Sequence, residues 1–319
     1  MSPRIFIENP PPFKRAPRGL DHALVDLSIE EGIEITRQYL DKDIALAGFH
    51  HADLDRYEAL QLRNEIPPVR YDAFDYAEAL KQRLDGFSSD LSLTPHRVVV
   101  YETPEQQEPH FRRLAAHGIR HVVLVGKPFS IPPPGVVYRS TVEEVLAYLT
   151  QKTPELDLGI IGIHSRRGEA ARIANKFKAA GQRLRVMGQF VDDSQAMAMF
   201  LEELAAEFDN RKLSLTGLEW NVGLAIFSLE NRAFYAKLLR KERLACEGRL
   251  QGLRIIDERI AASIEMNLEF AEEIRNKGKE LGFEAIGYSI QPIIERYLDG
   301  RLHPAVGGAV ELARRLQEL

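Results

Sequence analysis

Hydrophobic positions along the chain fall into short β-branched runs separated by longer stretches in which apolar residues recur three and four apart. The first spacing marks strands and the second marks helices with one buried face. Strand-like runs occur at 4–8 (RIFIE), 44–49 (IALAGF), 97–101 (RVVVY), 121–125 (HVVLV), 158–163 (LGIIGI), 183–190 (RLRVMGQF), 213–218 (LSLTGL) and 284–289 (EAIGYS). Several are continuously apolar, as in strands buried on both faces. Between them lie helical segments such as SIEEGIEITRQYL, DAFDYAEALKQRLD, EEVLAYLT, RGEAARIANKFKAAG and DSQAMAMFLEELAAEF, with Gly181 placed to end one of them.

Eight strand–helix repeats suit a (β/α)8 TIM barrel, an α/β fold of typically about 250 residues. A doubly wound open sheet is the alternative, but no GxGxxG follows the first strand and no GxxxxGK[ST] occurs. Residues 1–319 read as a single barrel domain, with the helical stretch 241–282 as extra helices between strands 7 and 8.

Composition narrows the partners. The chain has 319 residues, is 45% hydrophobic and 28% charged, and carries a net charge of −5. It has no basic excess of the kind that nucleic acid or an anionic membrane surface attracts. The N-terminus has no apolar signal region, and no run approaches the roughly 18 apolar residues of a membrane span. A soluble, cytoplasmic protein is expected; a homo-oligomer stays open. The single cysteine, Cys246, lies in a helical stretch and supports neither a disulfide framework nor a thiolate metal site.

In such a barrel the chemistry sits where strands end. Glu8 ends the first strand just before Pro10, Pro11 and Pro12, and His50 and His51 follow the second. Lys127 follows the fourth, His164, Arg166 and Arg167 follow the fifth, Gln189 ends the sixth and Tyr288 the eighth; His96 precedes or opens the third. The stretch GFHHADLD invites a metal reading. Adjacent histidines on a strand point to opposite faces, however, so no metal site is expected. No serine occupies a GxSxG turn.

The segment 94–135, TPHRVVVYETPEQQEPHFRRLAAHGIRHVVLVGKPFSIPPPG, resembles the methylenetetrahydrofolate reductase family of flavin-dependent barrels, through Pro95-His96, Thr103-Pro104 and Gly118-Ile119-Arg120-His121. Weaker similarities lie in YRSTVEEVLAYL, RRGEA, GQFVDD, IGYSIQP and the opening FIENPPP. The resemblance implies a flavoprotein oxidoreductase of one-carbon metabolism that acts on CH–NH groups. It would interconvert 5,10-methylene- and 5-methyl-tetrahydrofolate with FAD as cofactor, NADH or another donor serving as electron partner.

By the same resemblance Glu8 is the acid/base, since a carboxyl desolvated at a pocket rim favours its proton-carrying form. Gln189 holds the pterin, whose amide-like edge suits a side chain that both donates and accepts. His96, Tyr138 and Ser140 line the flavin, Arg167, Asn175 and Lys178 meet its pyrophosphate, and Tyr288 lies with the substrate. Trp220 and Phe227, in what reads as a long loop after strand 7, are the candidates to stack on it.

One departure is chemical. Where the family carries Arg-Gly-Asp, this chain has Gly126-Lys127-Pro128, and a cation beside a flavin raises its potential. Lys127 is therefore a further cofactor contact, and two flavin-free alternatives stand beside the main reading: a folate-dependent methyl transferase and a non-catalytic folate-binding barrel.

Overall fold

The computed structural model describes residues 3–9, 29–42, 44–51, 72–84, 91–127, 137–227, 244–292 and 304–319. Eight parallel strands close into a barrel in chain order, β1 pairing with both β2 and β8. They are β1 (Ile5–Glu8), β2 (Gly48–His51), β3 (Ser92–Val98), β4 (His121–Val125), β5 (Asp157–Gly162), β6 (Leu184–Phe190), β7 (Leu218–Ala225) and β8 (Ala285–Gln291). Eight α-helices lie among the described residues: α1 (Ile29–Leu40), α2 (Ala73–Arg83), α3 (Pro104–Ala116), α4 (Val142–Lys152), α5 (Glu169–Ala179), α6 (Ser194–Asn210), α7 (Ile256–Glu280) and α8 (Pro304–Leu316). The fold is a (β/α)8 barrel.

The helix starts follow local chemistry. Thr103 and Gln106 form a reciprocal capping box on α3 with Pro104 in its first turn, and Thr141 and Glu144 do the same on α4. Asp72 and Asp193 accept from the first free amides of α2 and α6. Gly181, at φ 67°, ends the turn after α5 in a left-handed conformation that a side chain disfavours. The stretch 244–282 contains a 3-10 segment (Ala245–Leu250) and the 25-residue α7.

Three strands sit elsewhere than the apolar runs predict. β2 is Gly48–His51 rather than 44–49, and β3 begins at Ser92 and contains Pro95, a residue that argues against a strand interior. β7 is Leu218–Ala225, so LEWNVGLA is the strand itself, while Leu215–Gly217 is a 3-10 turn before it. β8 runs on to Gln291, two residues past its expected end.

The core has two parts. A large outer cluster joins strand residues such as Ile5, Ile7, Phe49, Val122, Val186 and Trp220 to the helices. A smaller cluster of Phe6, Val98, Val100, Val123, Val125 and Met187 fills part of the barrel interior. The two clusters take alternate residues of β1, as side chains on a strand must.

Candidate functional site

That alternation fixes which side chains face the interior. In β1, Ile5 and Ile7 belong to the outer core and Phe6 to the inner cluster, so Glu8 ends the strand on the interior side, half-buried. In β2, Phe49 packs outward and His50 inward. Adjacent His51 turns the other way: its Nδ1 donates to the Asn9 carbonyl at 2.6 Å and its ring meets Tyr76 edge-on. The two neighbouring histidines thus occupy opposite faces. Among the described residues no three side chains of metal-binding type gather.

Beside its apolar cluster the interior carries polar side chains at the floor, in the middle and at the rim. At the N-terminal floor, Arg185 Nε donates to Glu219 Oε1 at 3.0 Å, Arg4 reaches Glu219 Oε2 at 2.8 Å, and Arg185 Nη1 donates to His121 Nδ1 at 2.9 Å. Both guanidinium groups lie against Phe6, 5.5 and 5.3 Å from its ring centre. Burial, reinforced by the charge of Arg185, pushes the His121 pKa down to about 4.

In mid-barrel His50 joins two strands. Its Nε2 lies 2.5 Å from Ser289 Oγ and its Nδ1 3.2 Å from His96 Nε2, with the two imidazoles stacked at 5.1 Å. Burial drives the protonation of His50 well below its ordinary range, helped by the charges of His96 and His51. Burial and the charge of His51 likewise push His96 down to about 3. Both rings are neutral at physiological pH.

The rim at the C-terminal ends of the strands carries Glu8, Gln189 and Gln291. Glu8 pairs in register with His50, and one residue past the Ile7–Ile290 pair Glu8 and Gln291 end neighbouring strands. Gln189 follows interior Met187, at an irregularity where the β6–β7 register shifts between Met187 and Phe190. Gly223 makes that irregularity possible, for a Cβ there would stand 2.6 Å from Gly188 O and from the Phe190 amide. A cleft of 340 Å³ lined by Lys81, Leu93, Arg120 and His121 opens at the other end of the barrel, away from the strand ends where barrel chemistry sits.

The structure thus places Glu8 and Gln189 at one end of the barrel, with His96 buried below them in mid-barrel. Lys127 and Tyr138 stand together beside that mouth, the lysine 5.1 Å over the tyrosine ring, with Tyr101 5.8 Å from Tyr138. Pro128 lies outside the described residues. The remaining expected contacts are elsewhere. Ser140 is buried and donates to the backbone carbonyls of Val99 (2.6 Å) and Glu102 (2.9 Å). Asn175 accepts from Arg211, the residue just past α6, at 2.6 Å, Lys178 is exposed in the last turn of α5, and Arg167 is exposed before that helix.

The aromatic candidates also turn away. Trp220 packs against Phe200 at 5.2 Å in the outer core, and Phe227 meets Phe190 edge-on at 6.0 Å there. Tyr288 belongs to the outer core, where its hydroxyl donates to the Ala271 carbonyl of α7 at 3.0 Å and burial pushes its pKa up to about 12. Its neighbours Ser289 and Gln291 are the residues of β8 that face inward, and sequence reasoning missed both. The period of two was present, with Ile286, Tyr288 and Ile290 on one parity and Gly287, Ser289 and Gln291 on the other.

No protein-family profile matches the sequence, and no curated protein matches it. Many solved structures share the architecture. An uncharacterized protein from Clostridium thermocellum that binds two copies of 5-methyl-5,6,7,8-tetrahydrofolic acid superposes with a TM-score of 0.67 at 19% identity, over 99% of this chain and 95% of that one. An EDTA monooxygenase from Chelativorans gives 0.53 at 11% identity, covering 99% and 94%. DmoA from Hyphomicrobium sulfonivorans gives 0.53 at 9%, covering 100% and 88%. The likeness is one of fold. Among the described residues no helix is long and apolar enough to cross a membrane.

Proposed function

We propose that the chain binds a tetrahydrofolate derivative at the C-terminal mouth of the barrel and acts on its one-carbon unit. Glu8 serves as acid/base and Gln189 holds the pterin edge. What carries the reading is the convergence of Glu8, Gln189 and Gln291 on one rim above His96. Two primary amides supply donors and acceptors for a pterin, and a carboxyl beside them can give or take a proton at a folate nitrogen as a C–N bond breaks or forms. The folate bound by the Clostridium thermocellum protein, which has the same fold, agrees in ligand class.

A bound flavin would supply hydride chemistry at that carbon, and FAD needs a place for its pyrophosphate. Among the described residues the expected set does not converge: Ser140 serves the backbone, Asn175 serves Arg211, and Lys178 lies at the end of α5 remote from the strand ends. This arrangement favours the flavin-free form, a one-carbon transferase using methyl-folate, over FAD-dependent interconversion of methylene- and methyl-tetrahydrofolate with NADH.

An absorbance spectrum of the purified protein, followed by titration with methyl-tetrahydrofolate, tests the choice. A colourless protein that binds methyl-folate is the expected result. A yellow protein bleached by methyl-folate without oxygen would establish the oxidoreductase instead.

A further inference from the structure

Three strands contribute one buried chain of hydrogen bonds: Ser289 of β8, His50 of β2 and His96 of β3. Exposure rises along it, from 0% at Ser289 through 2% at His50 to 5% at His96. Barrel interiors are ordinarily filled by branched apolar side chains, so a polar chain here needs a reason. Its polarity follows from counting protons.

Neutral His50 carries a single ring proton, so it donates through one of its two contacts and accepts through the other. If His50 donated to Ser289, the serine hydroxyl would need a second acceptor. Among the described residues His50 is the only partner of Ser289 Oγ, and a buried donor left unpaired is costly. The favourable direction therefore starts at Ser289. Its O–H donates to His50 Nε2, His50 Nδ1–H donates to His96 Nε2, and the proton of His96 resides on Nδ1.

We propose that Ser289 and His50 are positioning residues that fix His96 as a neutral Nδ1–H donor to the ligand in the barrel mouth. The ligand atom that His96 selects is a hydrogen-bond acceptor without an attached proton, such as a ring carbonyl oxygen or a pyridine-type ring nitrogen. A ring atom carrying N–H at that place is rejected, because the histidine cannot turn acceptor without stranding the serine proton. That the ring is a pterin rests on the folate reading. The direction of the chain does not.

The experiment is nitrogen NMR of histidine-labelled, ligand-free protein at neutral pH, followed by methyl-tetrahydrofolate titration of wild type and Ser289→Ala. The expected spectrum has pyrrole-type Nδ1 and pyridine-type Nε2 in both His50 and His96. His51, which must carry its proton on Nδ1 to donate to a carbonyl, is the internal standard. In Ser289→Ala, His50 and His96 should depart from that pattern while His51 keeps it, and methyl-folate should bind about tenfold more weakly, one lost hydrogen bond's worth.

A protonated Nε2 or a charged ring at either residue in the wild type would overturn the proposal, and so would a Ser289→Ala spectrum identical to it. The wild-type spectrum decides even if the variant does not fold. Correct tautomers without methyl-folate binding would leave the polarity standing and remove the folate reading.

Discussion

Arg185 and Glu219 face each other across the N-terminal floor of the barrel, Nε to Oε1 at 3.0 Å, with their side chains only 8% and 17% exposed. Arg4 takes the second carboxylate oxygen at 2.8 Å. Removing the acid leaves Arg185 charged and buried, the costly way to break such a pair. Glu219→Ala should lose about 3 kcal/mol in denaturant unfolding. Unfolding free energy within about 0.5 kcal/mol of wild type would contradict the role given to this contact.

The histidines predict a pH profile. Burial holds the protonation of His50, His51 and His96 below the ordinary imidazole value of about 6.5, near 4 for His51 and near 3 for His96. The unfolded chain therefore takes up protons first, and the native state is favoured at higher pH. The stability gained by keeping these rings neutral is complete above pH 6.5 and is lost as pH falls toward the folded values. Each ring contributes a slope of up to about 1.4 kcal/mol per pH unit in that window. Urea midpoints measured from pH 8 to 5 should fall mainly below 6.5, and His50→Gln should flatten the fall.

Ser140 is a structural residue on this account. Its hydroxyl ties the chain before α4 to the carbonyls of Val99 and Glu102, and Gln107 Nε2 donates to the same two carbonyls at 2.5 and 3.2 Å. With those carbonyls still served by Gln107, Ser140→Ala should lose about 1 kcal/mol in thermal or denaturant unfolding. Its affinity for methyl-folate should stay at the wild-type value. Unchanged stability with a weakened ligand would place Ser140 in the site.

The barrel was legible in the sequence because eight apolar runs alternate with helical patterns, and β4 falls where HVVLV puts it. The misplaced strands share a physical cause. β7 carries Glu219, Asn221 and Gly223, β2 carries His50, and β3 carries Thr94 and His96. β7 is apolar toward the helices and polar toward the barrel axis, and β2 and β3 turn polar side chains outward as well, His51 onto Tyr76 and Arg97 onto Phe74, so a search for continuous hydrophobic runs drifts to neighbouring segments such as IALAGF and LSLTGL.

The site divides in the same way. Glu8 and Gln189 stand at strand ends, where the barrel rule locates them. Tyr288 and Phe227 do not face the mouth, because family similarity supplies a position in sequence while strand parity decides the face. The Ser289–His50–His96 chain joins residues 46 and 239 positions apart, a proximity that only barrel closure creates.

The most direct measurement is calorimetric titration of the purified chain with methyl-tetrahydrofolate, run in parallel on Gln189→Ala. The wild type should bind saturably and the variant at least tenfold more weakly, equivalent to about 1.4 kcal/mol or more, with an unchanged unfolding midpoint. No heat of binding in the wild type, or equal affinity in the two proteins, would contradict the folate reading.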